Sequence, residues 1–319
     1  MKNGERTIKD TLLSVSAQAY SKYETIVVDD HSSDSTAEIL KLFNVKTVKN
    51  RGNGVAWARN TGAEHACGNI LLFIDADIVL PEDALDLIKE AFQEKRISGA
   101  VGIESISMPY KNFYSSFKNL WMNYTFTHLP PYIHSFYTSC AAIRKQDFIK
   151  LGGFDTNYKR PNVEDTAFGR KMANNGNLTV VIKKLEVRHK KEYTLQTLVK
   201  TDFLRTCGLI KIVLREKWQN FQRRNQSSVP LSFILSVPFP AISLVFICFS
   251  PFYSGTFAIS FLFLFLYLFF NRKFLNYALC RKGFSFLVKS LIFMILDSFV
   301  VLSGLIFGLI HFFIFQKRY

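Results

Sequence analysis

The chain has 319 residues, a formal net charge of +15 and 49% hydrophobic residues. Such a charge suits nucleic acid or anionic lipid, but no zinc finger, aromatic RNA-binding signature or other nucleic-acid module occurs, so nucleic acid is excluded as a partner. The five cysteines, Cys67, Cys140, Cys207, Cys248 and Cys280, lack paired spacing, which argues against a disulfide framework or a zinc site.

Residues 5–19 read as a helix, with Ile8, Leu12, Leu13 and Val15 as apolar positions. Residues 24–29 read as a buried strand ending in Asp29 and Asp30. A helix is predicted over 33–43, capped by Ser32 or Ser33, and a short strand over 45–48. The turn Arg51-Gly52-Asn53-Gly54 leads into a helix to residue 66, and 70–74 form a strand running into Asp75 and Asp77. Pro81 is expected to start the next helix. Strands alternating with helices predict a parallel sheet. In open sheets of that kind ligands bind at the carboxyl ends of strands. Asp75 and Asp77, at i and i+2 of an extended segment, would face one side and suit a hard divalent cation. Each acidic pair could equally cap the following helix.

Glu164 and Asp165 open a helix running to about residue 175, either as chemistry or as stabilisers of that helix end. His189 ends a strand-like run, and Gly152-Gly153 suit a tight turn. In 194–218, Leu195, Val199, Phe203, Cys207, Ile210, Leu214 and Trp218 form one helical stripe, with Lys200, Arg205, Lys211 and Arg215 off it. That helix would lie on a membrane surface or pack against the N-terminal domain. The aromatic-rich stretch 110–137 would line an acceptor site or serve as core.

Runs near 229–250, 252–270 and 286–315 are each apolar and long enough to cross a bilayer. Asp297, inside the last run, would be a functional intramembrane acid or a carboxylate satisfied within the helix bundle. Arg272, Lys273, Arg281 and Lys282, together with Lys211, Arg215, Lys217, Arg223 and Arg224, predict that the large N-terminal domain is cytoplasmic. Their placement beside the apolar runs suits lipid headgroups or phosphorylated lipid substrates. Three crossings would put the tail 316–319 outside.

In this order and spacing, KNGERTIKDTLLSV, ETIVVDDHSSDST, GNGVAWARNTGAEHACGNILLFIDADIVL, KLGGFD and NVEDTAFGRKMANNG resemble the family 2 glycosyltransferases. These are inverting nucleotide-sugar enzymes of the α/β, Rossmann-like GT-A fold. The resemblance covers roughly residues 2–190. It implies a catalytic domain over 1–190, a juxtamembrane segment over 191–228 and transmembrane helices over 229–319. It implies that Asp30 accepts a hydrogen bond from the nucleobase, Asp29 supports that loop and Arg59 contacts the nucleotide. Asp77 would ligate Mg2+ or Mn2+, assisted by Asp75 through ribose or metal-bound water, and His189 would approach the metal or diphosphate. Asp165, with Glu164 second, would be the general base. The donor would be a nucleotide-sugar, and the acceptor a hydroxyl on a lipid-linked or envelope glycan. Alternatives are a polyprenyl-phosphate glycosyltransferase and a catalytically impaired membrane scaffold. No QxxRW motif of processive synthases follows, which favours a single transfer. The expected first strand is missing, so a start at Met1 would leave a sheet edge uncovered and part of the nucleobase pocket absent.

Overall fold

The computed structural model describes residues 1–158, 162–215, 229–253 and 255–315. Pro161, Lys217, Trp218, Arg223, Arg224 and the tail 316–319 lie outside them. The described residues divide into two compact units. One holds Met1–Tyr110 with Phe126–Glu192, and the other holds Lys111–Thr125 with the described residues from Tyr193 onward.

In the first unit, helix α1 (Ile8–Ser16) precedes strand β1 (Ile26–Asp29), helix α2 (Thr36–Leu40) and strand β2 (Lys46–Lys49). Helix α3 (Val55–His65), strands β3 (Ile70–Ile74) and β4 (Ile78–Val79), helix α4 (Ala84–Ala91) and strand β5 (Ile97–Glu104) follow. After helix α5 (Phe113–Thr127), most of which belongs to the second unit, come β6 (Tyr132–Ile133), β7 (Cys140–Arg144), α6 (Lys145–Lys150), α7 (Glu164–Asn174) and β8 (Leu178–His189). β1 and β2 pair in parallel as a two-stranded sheet, and a larger sheet runs β3-β7-β5-β8-β4 with β6 added on β8. The fold is thus α/β, but the larger sheet is mixed, not parallel. β5–β8 is parallel, whereas β7 runs antiparallel between β3 and β5, and β4 is antiparallel to β8. β7 is reached from β5 through α5 and β6 instead of through a single crossover helix, so it can enter in either direction. Ile78, Leu80, Ile97, Ala100, Cys140 and Val187 form the core between this sheet and α4.

Other expectations are corrected locally. α2 spans five residues, and Ser35, not Ser32 or Ser33, holds its N-cap position. Ser32 Oγ and Ser33 N instead bind Asn3, at 2.9 Å each. α4 begins three residues beyond Pro81.

Met1 N donates to Val28 O, and Asp30 N donates to Met1 O, both at 2.6 Å. That is the alternation of a parallel ladder opposite Asp29. Among the described residues, β1 pairs only with β2 along one edge and β3 only with β7. A cavity of about 1080 Å³ is lined by the consecutive residues Ile26–Val28 of β1 and Leu71–Ile74 of β3, together with residues of α1 and α3. Consecutive lining marks strand edges, since a strand face would contribute alternate residues.

The second unit contains helices α8 (Leu195–Arg215), α9 (Leu231–Ser236), α10 (Phe239–Phe249), α11 (Gly255–Lys282) and α12 (Phe284–Phe313). Leu231–Phe249, Gly255–Lys282 and Phe284–Phe313 are long and apolar enough to cross a membrane. α12 is continuous for 30 residues, roughly 45 Å at 1.5 Å per residue. The stripe of α8 is covered in part by α12. A Cβ at Gly304 would lie 2.8 Å from Phe203 O, one at Gly308 2.3 Å from Ile210 Cγ2, and Cys207 Sγ donates to Gly304 O at 3.0 Å. Small residues at this crossing let the backbones approach. Lys211, expected on the polar side, is buried. The aromatic stretch supplies packing here: Phe117 lies 4.7 Å from Phe293, and Trp121 4.8 Å from Phe274, ring to ring. Lys118 and Asp202 form a buried ion pair. Asp297 is buried, and no described group donates to its Oδ1.

Candidate active site

β1 ends at Asp29, whose Oδ1 accepts from Ser32 N at 3.1 Å and holds the following loop. His31 takes φ 60° in that loop. The carboxylate of Asp30 accepts from Asn50 Nδ2 at 2.6 Å and from Gly54 N at 3.2 Å, where α3 begins. Gly54 has φ 95°, a conformation that glycine adopts at little cost. Asp30 thus ties the end of β1 to the glycine turn.

Asp75 and Asp77 do not sit on an extended segment. β3 stops at Ile74, and the chain turns, with Ile78 N donating to Asp75 O at 3.2 Å. The two carboxylates accordingly meet different partners. Asp75 Oδ1 accepts from Arg59 Nη2 at 3.0 Å, while Asp77 Oδ2 lies 3.4 Å from His189 Nε2. Both pairs form just beyond the carboxyl end of β3.

Arg59 organises the other side. Its Nη1 donates to Glu164 Oε1 at 2.7 Å, and its guanidinium lies 5.5 Å from the Phe154 ring centroid. Burial works to lower its pKa, but Asp75 and Glu164 outweigh that and hold it above its usual value. Glu164 is buried, and its Oε2 accepts from Asn162 N at 2.8 Å, so both of its oxygens are engaged. Asp165 is the partly exposed member of the pair in the first turn of α7, with Oδ1 accepting from Thr166 N at 2.6 Å. The next residue of α3, Asn60, was not singled out in the sequence. It donates to Phe154 O and accepts from Phe154 N, both at 2.9 Å. That pins the turn at Gly152 and Gly153, which have φ 73° and 68°.

His189 sits between two carboxylates, since its Nδ1 lies 3.1 Å from Glu104 Oε1. Burial lowers its pKa, but Glu104 and Asp77 raise it well above the usual 6.5. Burial raises the Asp77 carboxyl, yet the bond from His189 takes it below its ordinary value. Glu104 escaped sequence reading, although it carries the same signal as Asp29 and Asp75: an apolar strand, ISGAVGIE, ending in a carboxylate.

Among the described residues, no group of three or more His, Cys, Asp and Glu side chains is arranged to hold a metal ion. Asp77 and His189 nonetheless fit one. A hard cation needs only one or two protein ligands when phosphates supply the rest. An imidazole whose second nitrogen is held by a carboxylate is the usual form of a histidine ligand.

The sequence profile described as "Glycosyl transferase family 2" matches residues 1–152. The chain is 36% identical over 121 residues to 4,4'-diaponeurosporenoate glycosyltransferase of Staphylococcus haemolyticus, a match covering 35% of this chain and 32% of that protein. It is 37% identical over 106 residues to poly-beta-1,6-N-acetyl-D-glucosamine synthase of Staphylococcus epidermidis, covering 31% and 25%. The matched stretch is thus a third or less of these relatives' length. The crystal structure of S. aureus TarS 1-349 in complex with UDP-GlcNAc superposes with a TM-score of 0.51 at 18% identity, over 70% of this chain and 68% of that one. That likeness shows the fold.

Proposed function

Residues 1–152 place this chain in glycosyl transferase family 2, and on that premise we propose that it is a membrane-anchored inverting enzyme. It transfers one sugar from a nucleotide-diphosphate donor to a hydroxyl of a lipid-linked or cell-envelope glycan. The observation that carries this reading is the buried Arg59 bridge. It fixes the acid-bearing start of α7 against the strand-end carboxylate Asp75. The TarS complex with UDP-GlcNAc supports a nucleotide-sugar as donor.

Asp165 acts as general base. It accepts the proton of the acceptor hydroxyl while that oxygen attacks the anomeric carbon. The bond from that carbon to the diphosphate breaks on the opposite face, and the diphosphate leaves with the electron pair. The first-turn position of Asp165 favours its charged form, because the N-terminus of a helix stabilises anions. Glu164, neutralised by Arg59, has the role of holding α7 in place. Asp29 and Asp30 shape the loop that would flank the nucleobase. Asp77 and His189 would hold Mg2+ or Mn2+, which when bound would neutralise charge on the leaving diphosphate. The basic residues Arg272, Lys273, Arg281 and Lys282 around the second and third apolar helices support a cytoplasmic catalytic unit.

The test uses purified full-length protein in detergent with a panel of UDP-, GDP- and dTDP-sugars and a hydroxyl acceptor, with and without Mn2+. Transfer with inverted anomeric configuration by NMR supports the reading. Retained configuration, or transfer only to a polyprenyl phosphate, overturns it.

A further inference from the structure

We propose that Glu104 is a positioning residue that fixes the ring of His189 for cation binding. This rests on the assignment of Asp77 and His189 as the cation site. Glu104 is the only charged residue of β5 and is buried. A carboxylate there must be paired, because an uncompensated buried charge is expensive. Its ring partner is His189 Nδ1, at 3.1 Å.

The placement is set by backbone ladders and not by side chains alone. β8 is flanked by β5 and β4. Glu104 stands opposite Val187 in the parallel pair, and Ile78 stands opposite His189 in the antiparallel pair. Ser105 N donates to Val187 O at 2.8 Å, and Lys190 N donates to Asp77 O at 2.7 Å. His189 is thereby held with one carboxylate on each side. With Nδ1 turned to Glu104, Nε2 is the nitrogen aimed at Asp77, 3.4 Å away. In a ring whose Nδ1 carries the proton, Nε2 has the lone pair a cation needs. Glu104 therefore fixes the orientation of the ring, without touching substrate itself.

The test measures Mn2+ binding by electron paramagnetic resonance on EDTA-treated full-length protein in detergent, with UDP present. Glu104→Gln keeps the shape and loses the charge, whereas Glu104→Asp keeps the charge and shortens the side chain. Glu104→Gln is expected to weaken Mn2+ binding by about 10- to 100-fold, as for other carboxylates behind a ligating histidine. Glu104→Asp recovers part of that loss, and the affinity for UDP without metal is unchanged in both variants. A role in packing alone would be served better by Gln than by Asp, so the reverse order overturns the proposal. So does Mn2+ binding by Glu104→Gln within twofold of the parent, while Asp77→Asn and His189→Gln abolish it. If Asp77→Asn and His189→Gln also bind Mn2+ normally, the cation site itself is misassigned, and the role of Glu104 falls with it.

Discussion

Arg59 and Glu164, 105 residues apart in the chain, meet at 2.7 Å with 11% and 5% of their side chains exposed. Removing one partner leaves the other charged and buried. Arg59→Met is therefore expected to cost about 3–5 kcal/mol of stability, read from urea or thermal unfolding of the first unit. The double variant Arg59→Met/Glu164→Gln should recover part of the loss, because it leaves no orphan carboxylate at position 164. Equal instability of single and double variants would assign the cost to packing on Phe154.

Asp165→Asn should lower kcat by about 100- to 10,000-fold, the range for losing a general base. Donor affinity, measured by calorimetry, should stay within a factor of two. Glu164→Gln should instead lower stability first, since its carboxylate is engaged by Arg59 and Asn162 N. If Asp165→Asn turns over normally, the base lies elsewhere.

The two glycines of the KLGGFD turn should differ. Both have positive φ, so alanine at either is strained by about 1–2 kcal/mol. A Cβ at Gly152 would meet nothing nearer than Lys171 Nζ at 3.8 Å, but one at Gly153 would lie 2.6 Å from Asn60 Oδ1. Gly153→Ala is expected to be the more destabilising and to disturb the Asn60–Phe154 pair. Thermal midpoints of the two variants check the order.

His189 and Asp77 make stability pH-dependent in metal-free protein. The pKa of His189 is raised, so its contribution is complete below 6.5 and is lost as pH climbs through the folded value. That of Asp77 is lowered, so its contribution is complete above 3.8 and is lost as pH falls through the folded value. The melting temperature in EDTA should therefore decline on the alkaline side of 6.5. His189→Gln should flatten that limb and leave other titrations in place. An unchanged limb in the variant would assign the decline to another group.

Gly308→Leu should separate α8 from α12, because even a Cβ would clash with Ile210. Packing drives helix association in lipid, so the expected result is earlier aggregation on heating in detergent. Gly255→Leu, at a position with open space, is the control.

In the first unit β1 and β3 were legible because each is a local apolar run leading into acids. Ile70–Ile74 was read at its observed bounds, and the start of α7 at Glu164 was read as found. Strand direction was not legible. An apolar run such as Cys140–Arg144 carries no mark of whether it enters a sheet parallel or antiparallel, and long-range pairing decides that. The turn at Asp75–Asp77 was missed because period-two spacing assumes an extended chain. The partners of Arg59 were missed for a different reason. Its acids lie 16 and 105 residues away, on separate segments, and no local pattern encodes the meeting. Glu104 could have been found, since it repeats a signal already used twice. For α8 the stripe was met only in part: Gly304 and Gly308 of α12 lie against Phe203, Cys207 and Ile210, but Leu195 is exposed and Leu198, Lys211 and Ile212, off the stripe, are buried.

Arg59 and Asn60 are neighbours on one rigid helix, yet they grip two separate segments, the start of α7 and the turn at Phe154. Any tilt of α3 must carry both together, so the acid helix and the glycine turn are geared and keep their spacing. The segment from His31 to Ser35 lies outside that grip, since its described side-chain hydrogen bonds run to Asn3, Glu5, Asp29 and Thr36 and not to α3.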